Sequence, residues 1–489
     1  MIIELSLVVK VCDTFVILSQ YTKNGNLLFG KNSDRVPDEV QNIVFIKGGK
    51  HSSNEMVKCT YIEVPQVEET YDVVLSQPFW MYGGEMGVNK FGLVIGNEAV
   101  FTKEPLKKIG LLGMDIIRLV LERKKTAESA LLYIIELLEK YGQGGNCEYR
   151  KKNSSYHNSW IVADPNEAYV LETAGKHWVW KEIDDAYSIS NSLTIENDFD
   201  GISDEAIKNA IKKGFCRDEN DFSFKKCYTA KGLSSAAIKN LGAKGDKRRN
   251  FHNKIINELA SKKEAKIEDI IRLLRSHKIQ INEDQQEVEY DPSRHSSFED
   301  ICVHYSGMFV PSQSVNSMAV ESSKDIVKIW TTCGSAPCIQ FYKPIVLYRT
   351  KPNSLPSLIN FGTDTHEELK IWWRNEFFHR LILMNYPNWT KIYFKERNKF
   401  ESDGIKQLDE LVEKFRKNSN ENEINNISQF IEQYFQNVDN YIKKYIEEFL
   451  NQKNAITAKK SFLKKWNKFN IRNKMPILTD LINSNKNNK

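Results

Sequence analysis

A hairpin close to the start of the chain constrains the fold more than any other feature. Residues 14–20 are strand-like, Asn24-Gly25-Asn26 is a turn, and residues 27–30 run back, the Asn-Gly pattern that closes a tight antiparallel pair. The first strand follows Cys12, and the second ends in Gly30-Lys31-Asn32-Ser33-Asp34-Arg35, too polar for an ordinary core strand. A lone cysteine is usually a packed core residue. Pairing the strands, however, sets this one beside Lys31 and Asp34, and such polar surroundings tune a thiol for reaction.

The rest of the chain extends the pattern. Short strand-like runs at 43–46, 58–64, 71–76 and 93–95 precede two amphipathic helices within 111–141, with Thr126 as the cap between them. Strands return at 159–163, 168–172, 178–183 and 188–189, helices at 202–214 and 248–277, and late strands at 326–331 and 338–343. Strands and helices alternating in blocks predict one layered α+β unit. Residues 364–450 read as almost wholly helical, and from Met475 the Asn- and Lys-rich end is expected to fray. The expected division is residues 1–11 as a leader, 12–350 as the main domain and 351–489 as a helical extension.

Composition narrows the function classes. A net charge of only +5 over 489 residues, with both signs mixed, argues against a nucleic-acid binder. No apolar run is long enough for a membrane span. Residues 1–11 lack the basic start and apolar stretch of a signal peptide, so the expected location is the cytoplasm. The eight cysteines are scattered without a CxxC, signalling neither a disulfide framework nor a zinc ribbon. Asp164, Glu167 and Glu172 are no metal cluster, because Asp-Pro-Asn-Glu reads as turn chemistry and no His stands at ligand spacing, and Gly142-Gln143-Gly144-Gly145 reads as a connector, so neither a metal nor a cofactor is expected.

A series of blocks makes the reading specific. Cys12-Asp13-Thr14-Phe15-Val16, Gly30-Lys31-Asn32-Ser33-Asp34-Arg35, Asp38-Glu39-Val40-Gln41, Ser76-Gln77-Pro78-Phe79-Trp80-Met81 and Gly84-Glu85-Met86-Gly87-Val88-Asn89 resemble the secernin family of cysteine N-terminal-nucleophile (Ntn) hydrolases. So do Gly96-Asn97-Glu98-Ala99-Val100, Leu112-Gly113-Met114-Asp115, Tyr156-His157-Asn158, Leu171-Glu172-Thr173-Ala174-Gly175 and Ile189-Ser190-Asn191. The blocks stand in family order between about residues 10 and 400.

This resemblance implies an αββα four-layer sandwich with a helical C-terminal extension, and a dipeptidase or related amide hydrolase that needs no cofactor. Removal of residues 1–11 would free Cys12, whose thiol is the nucleophile and whose α-amine, with a reference pKa of roughly 7.7 to 8.0, is the base. Asn97 and Asn191 would hold the oxyanion, Asp34 the amine, and Lys31 would lie near the thiol where the wider family often has Arg. Arg35 reads as an ion-pair partner. Arg248 resembles a family arginine near the site, although Arg249 or an exposed helix start fits the short match equally well. His157 is not needed as a base and stays a substrate-cleft candidate.

The expected substrate is a small peptide or amide. Two other readings stand beside the dipeptidase: a catalytically inactive interaction protein in secretion or regulation, and an acylase for a non-peptide amide. Trp372-Trp373-Arg374 and the aromatics after it read as a packing face rather than a stacking platform for nucleic acid. The apolar stripe of residues 427–450 is expected either to cover the catalytic domain or to make a homo-oligomer contact.

Overall fold

The computed structural model describes residues 11–152, 154–230, 236–282, 285–451 and 456–476. Most of the leader and the Asn- and Lys-rich end from residue 477 lie outside the described residues.

Two antiparallel sheets form the centre. The first has six strands in the order Ala186–Ile189, Asp13–Ile17, Leu27–Arg35, Gln313–Ser322, Ile326–Thr331 and Lys343–Tyr348. The second has eight: Gly201–Ile202, His177–Glu182, Ala168–Ala174, His157–Ala163, Val94–Val100, Met86–Asn89, Val73–Pro78 and Gln41–Ile46. The hairpin is as expected, with Thr14 opposite Lys31 and Gly25 turning at a φ of 67°.

Side-chain alternation assigns the faces of the hairpin strands. Thr14 and Lys31 turn toward the second sheet, where both bond to Glu98, at 2.6 Å and 2.9 Å. Phe15 and Gly30 turn to the opposite face, where the helix Ile267–Leu274 packs so closely that a Cβ on Gly30 would sit 2.7 Å from Ile270 Cγ2. The helices Gly113–Arg123 and Ala127–Tyr141 cover the second sheet, setting Ile116, Val120, Leu131 and Ile134 against Leu75, Ile95, Trp160 and Leu171. Thr126 caps the latter helix by accepting from the Ser129 amide.

The C-terminal helices Ile371–Ile382, Tyr386–Asn418 and Glu421–Asn451 share one continuous core with the first sheet. Trp372, Trp373 and Phe378 are buried, so the expected packing face exists and those rings have no access to a base. Ile431, Tyr434, Val438, Ile442, Tyr445 and Phe449 are buried in the chain's own core, with Tyr434 edge-on to Trp330 of the first sheet. The stripe therefore covers this chain.

Several elements differ from the sequence reading. Residues 58–64 are not one strand: Met56–Lys58 and Glu63–Pro65 pair antiparallel across a turn. Residues 338–343 are not a strand: Cys333 and Ala336 take left-handed φ values of 49° and 62°, and the strand begins only at Lys343. The helix of 248–277 starts earlier and is broken, running over Ala236–Lys262 and then Ile267–Leu274. Gln313–Ser322 is a central strand that the sequence does not signal. Its Gln, Ser and Asn residues mask the strand pattern, yet all ten residues are buried.

Candidate active site

Cys12 sits one residue before the first strand, at the end of the hairpin, 3% exposed. Its Sγ accepts the Asp34 backbone N–H at 3.2 Å and lies 3.8 Å from Glu85 Oε2. Its own backbone N–H donates to Asn191 Oδ1 at 2.9 Å. Arg248 donates to that same oxygen at 2.9 Å and grips Asp13 through Nε at 3.0 Å, so one guanidinium orients both the asparagine and the residue after the cysteine. Arg248 is 1% exposed and lies inside its helix, which removes the exposed-start reading. Arg249 instead donates to the Ser188 carbonyl and lies over the Tyr187 ring.

Asn191 needs its orientation, and the network fixes it: two donors face Oδ1, while Nδ2 donates to the Ala99 carbonyl at 3.1 Å. One of its two N–H groups remains after that bond. Asn97 is placed differently. Strand alternation turns Glu98 toward Lys31 and Asn97 toward the helix layer, where Nδ2 donates to Asn158 Oδ1 at 2.8 Å and approaches Met114 Sδ at 3.5 Å. The structure thus brings together Cys12, Asp34, Asn191, Arg248 and Lys31, and sets the Asn97 side chain on the other face of its strand. His157 bonds Thr102 at 2.9 Å, and burial pushes its imidazole down to about 4, partly offset by Glu104.

The charges around the thiol are almost all buried. Burial pushes the Cys12 thiol well above its ordinary range; Lys31 opposes this, and Glu98, Glu85 and Asp34 add to it. Burial works against the Lys31 ammonium too, but the carboxylates beside it, Glu98 before Glu85, hold it charged, above the usual lysine range. Burial likewise raises the Asp34 carboxyl, against the hydrogen bond that Ser314 donates to it at 2.6 Å. Asp34 Oδ2 is buried with no hydrogen-bond partner among the described residues. Arg35 is the expected ion-pair partner, held by Glu85 and Glu39.

Sequence reasoning gave no role to Glu85 or Glu98 and weighed Glu172 only as a metal ligand, although each stands inside a block that it quoted. Glu172 accepts from the backbone of Thr194 and Ile195 and so anchors the loop that carries Asn191. It also missed a cluster apart from Cys12. His277, Cys302, His304 and Cys338, spread along the sequence without a motif, have ligating atoms within 4.8 Å of one another. By contrast Asp164 is the turn residue expected, accepting from the Asn166 and Ala127 amides.

The chain is thus an α+β protein in which a hairpin holds a buried thiol whose backbone amide is fixed by an oriented asparagine. Residues 59–399 match the profile of peptidase family C69, so the chain belongs to that family, in line with its secernin-like blocks. The match begins after Cys12. Over 203 residues the chain is 25% identical to a "Probable dipeptidase" of Latilactobacillus sakei, covering 38% of this chain and 40% of that protein. The chain thus spans less than half the length of that curated relative. Among solved structures, two mutants of a conjugated bile acid hydrolase from Clostridium perfringens align at 14% identity and a TM-score of 0.38, over 70% of this chain and 93% of theirs. Among the described residues no helix is long and apolar enough to cross a membrane.

Proposed function

We propose that the chain is a cysteine-dependent hydrolase of peptide or amide bonds, most simply a dipeptidase, in which Cys12 becomes N-terminal when residues 1–11 are removed. The observation that carries this is the placement of the two reactive atoms of Cys12: Sγ against a backbone N–H, and the main-chain nitrogen against Asn191 Oδ1. Helices outside each sheet and the polar contacts between the sheets support the αββα layering of an Ntn hydrolase.

In this reading the leader leaves by an N-to-S acyl shift. Cys12 Sγ attacks the Val11 carbonyl, the Val11–Cys12 C–N bond breaks to a thioester and a free amine, and water cleaves the thioester. The freed amine, held by Asn191 Oδ1 and the open acceptor Asp34 Oδ2, then takes the thiol proton for each substrate. The thiolate attacks the substrate carbonyl, and the remaining Asn191 N–H meets the oxyanion. The amine returns the proton to the leaving nitrogen, and water resolves the acyl-enzyme. Asn97 would join the oxyanion donors only by releasing Met114. Val11 is fully buried with Val303, Val310 and the partly buried Phe298, so the acyl side of a substrate would meet a small apolar pocket there.

That same burial of Val11 favours a second reading. With the leader attached there is no α-amine, the thiol stays protonated, and the fold serves as a catalytically inactive interaction protein. An acylase for a non-peptide amide would use the same atoms as the dipeptidase.

A panel of dipeptides and N-acyl amides, given to the parent and to Cys12→Ala, tests the proposal. Dipeptide hydrolysis by the parent alone is expected. Turnover by Cys12→Ala would remove the nucleophile, and hydrolysis of acyl amides without dipeptides would replace the dipeptidase by an acylase.

A further inference from the structure

We propose that His277, Cys302, His304 and Cys338 form a structural zinc site that braces the strand carrying Asp34 and its neighbour Gln313–Ser322. The site stands on its own geometry and does not depend on the hydrolase reading. His304 Nε2 lies 3.2 Å from Cys338 Sγ and 3.7 Å from Cys302 Sγ, and all four ligating atoms fall within 4.8 Å of one another. A tetrahedral zinc with Zn–S of about 2.3 Å and Zn–N of about 2.0–2.1 Å sets its ligands roughly 3.3–3.8 Å apart. Small side-chain movements bring the cluster to that spacing.

The donor set selects the ion. Two thiol sulfurs and two imidazoles suit zinc and offer nothing to magnesium or calcium, which take oxygen. Four protein ligands leave no open position, which marks a structural rather than a catalytic site. His277 Nε2 is buried with no hydrogen-bond partner among the described residues.

The surroundings fix the ligands as an outer shell does. The His277 ring stacks on Tyr290 at 3.8 Å, and Tyr290 in turn donates to Asp300 at 2.9 Å. The Tyr386 hydroxyl donates to Cys338 Sγ at 3.4 Å. A surface groove lined by Arg275, His277 and Tyr290 borders the cluster at His277. A disulfide between Cys302 and Cys338 would account for the sulfurs but not for two imidazoles converging on them.

The position gives the site its role. The Leu274 and Ile301 carbonyls, on the segments leading to His277 and Cys302, accept from Asn32 of the nucleophile hairpin. The Val303 amide donates to Ser314 Oγ, which itself donates to Asp34. Clamping 277, 302 and 304 to the turn at 338 therefore holds Leu27–Arg35 and Gln313–Ser322 in place.

The test uses the untagged full-length protein grown with zinc and dialysed, measured by elemental analysis and zinc X-ray absorption. The expected result is one zinc per chain in a mixed sulfur and nitrogen shell. Cys302→Ser and Cys338→Ser should lose the metal and melt several degrees lower, while Cys59→Ser, buried in a different core cluster, should keep it. If the two site variants fail to fold, the metal content and spectrum of the parent decide the matter. A parent free of zinc that takes none up at micromolar concentration, a shell without sulfur, or a mass deficit of two hydrogens from a Cys302–Cys338 disulfide would each overturn the proposal.

Discussion

Cys12 and Cys338 are equally shut away from water, at 3% exposure each, yet they are held in opposite states. Burial pushes both thiols up. Around Cys12, Lys31 pulls the other way, but Glu98, Glu85 and Asp34 add to the burial, and the thiol is held well above its ordinary range. Around Cys338, hydrogen bonding from Cys302 and the imidazoles of His304 and His277 overcome burial and hold it well below the ordinary thiol range. Desolvation is common to the two sites, and the partners decide the outcome. Around Cys12 the sulfur meets carboxylates and one lysine; at Cys338 an imidazole and a second thiol converge on the sulfur.

The sharpest way to break this contrast is to remove each sulfur in turn. Cys12→Ala should abolish leader removal and lower turnover by roughly 10³-fold or more while leaving the melting temperature nearly unchanged. Cys338→Ser should do the reverse, costing stability and zinc with a smaller loss of turnover. Calorimetry and a turnover assay on both variants check the pair, and equal effects would mean that the two sulfurs serve one structural purpose.

The next effect concerns the cation beside Cys12. Lys31→Met leaves Glu98 buried without its ion-pair partner, at an expected cost of about 3–5 kcal/mol in urea unfolding. Adding Glu98→Gln should recover most of that stability but not the turnover, since the positive charge near the thiol is still missing.

The two asparagines separate the oxyanion roles. Asn191→Ala should lower kcat by about 10²-fold or more, because Asn191 has an N–H to spare and also orients the amine. Asn97→Ala should lower it less than about tenfold, its N–H groups being committed to Asn158 and Met114. Equal losses would return Asn97 to the site as a direct donor.

The smallest effect lies on the outer face of the hairpin. Burial pushes the His252 imidazole down to about 4, with Asp13 opposing and Arg248 and Arg249 assisting. A base depressed in the fold contributes stability that is fully present above about pH 6.5 and is lost as pH falls toward about 4. The full span is worth about 3 kcal/mol. His252→Asn should therefore lose less stability than the parent between pH 7 and pH 4.5 in paired urea titrations. Identical slopes would show that His252 is not held neutral.

Much of this was legible in the chain, and what was not has physical causes. The hairpin was readable because a turn and two β-rich runs are local, and pairing them forces Cys12 beside Asp34 whatever the rest of the chain does. Arg35 was readable as a partner because such a charge in a strand must be paired. The strand Gln313–Ser322 was not, since its polar residues find partners only across the fold, as when Asn316 donates to Ser76 and Ser317 to Asn32. Asn97 and Glu98 are adjacent in one block, and only the register of their strand tells which one faces the thiol's sheet. The four-residue cluster was invisible because the turns that assemble it leave no fixed spacing.

The most direct measurement is the intact mass and N-terminal sequence of the purified, active protein. The account predicts a chain that begins at Cys12, with Cys12→Ala keeping the leader. An active protein that still carries Val11 joined to Cys12 would contradict it, because the amine that serves as base would not exist.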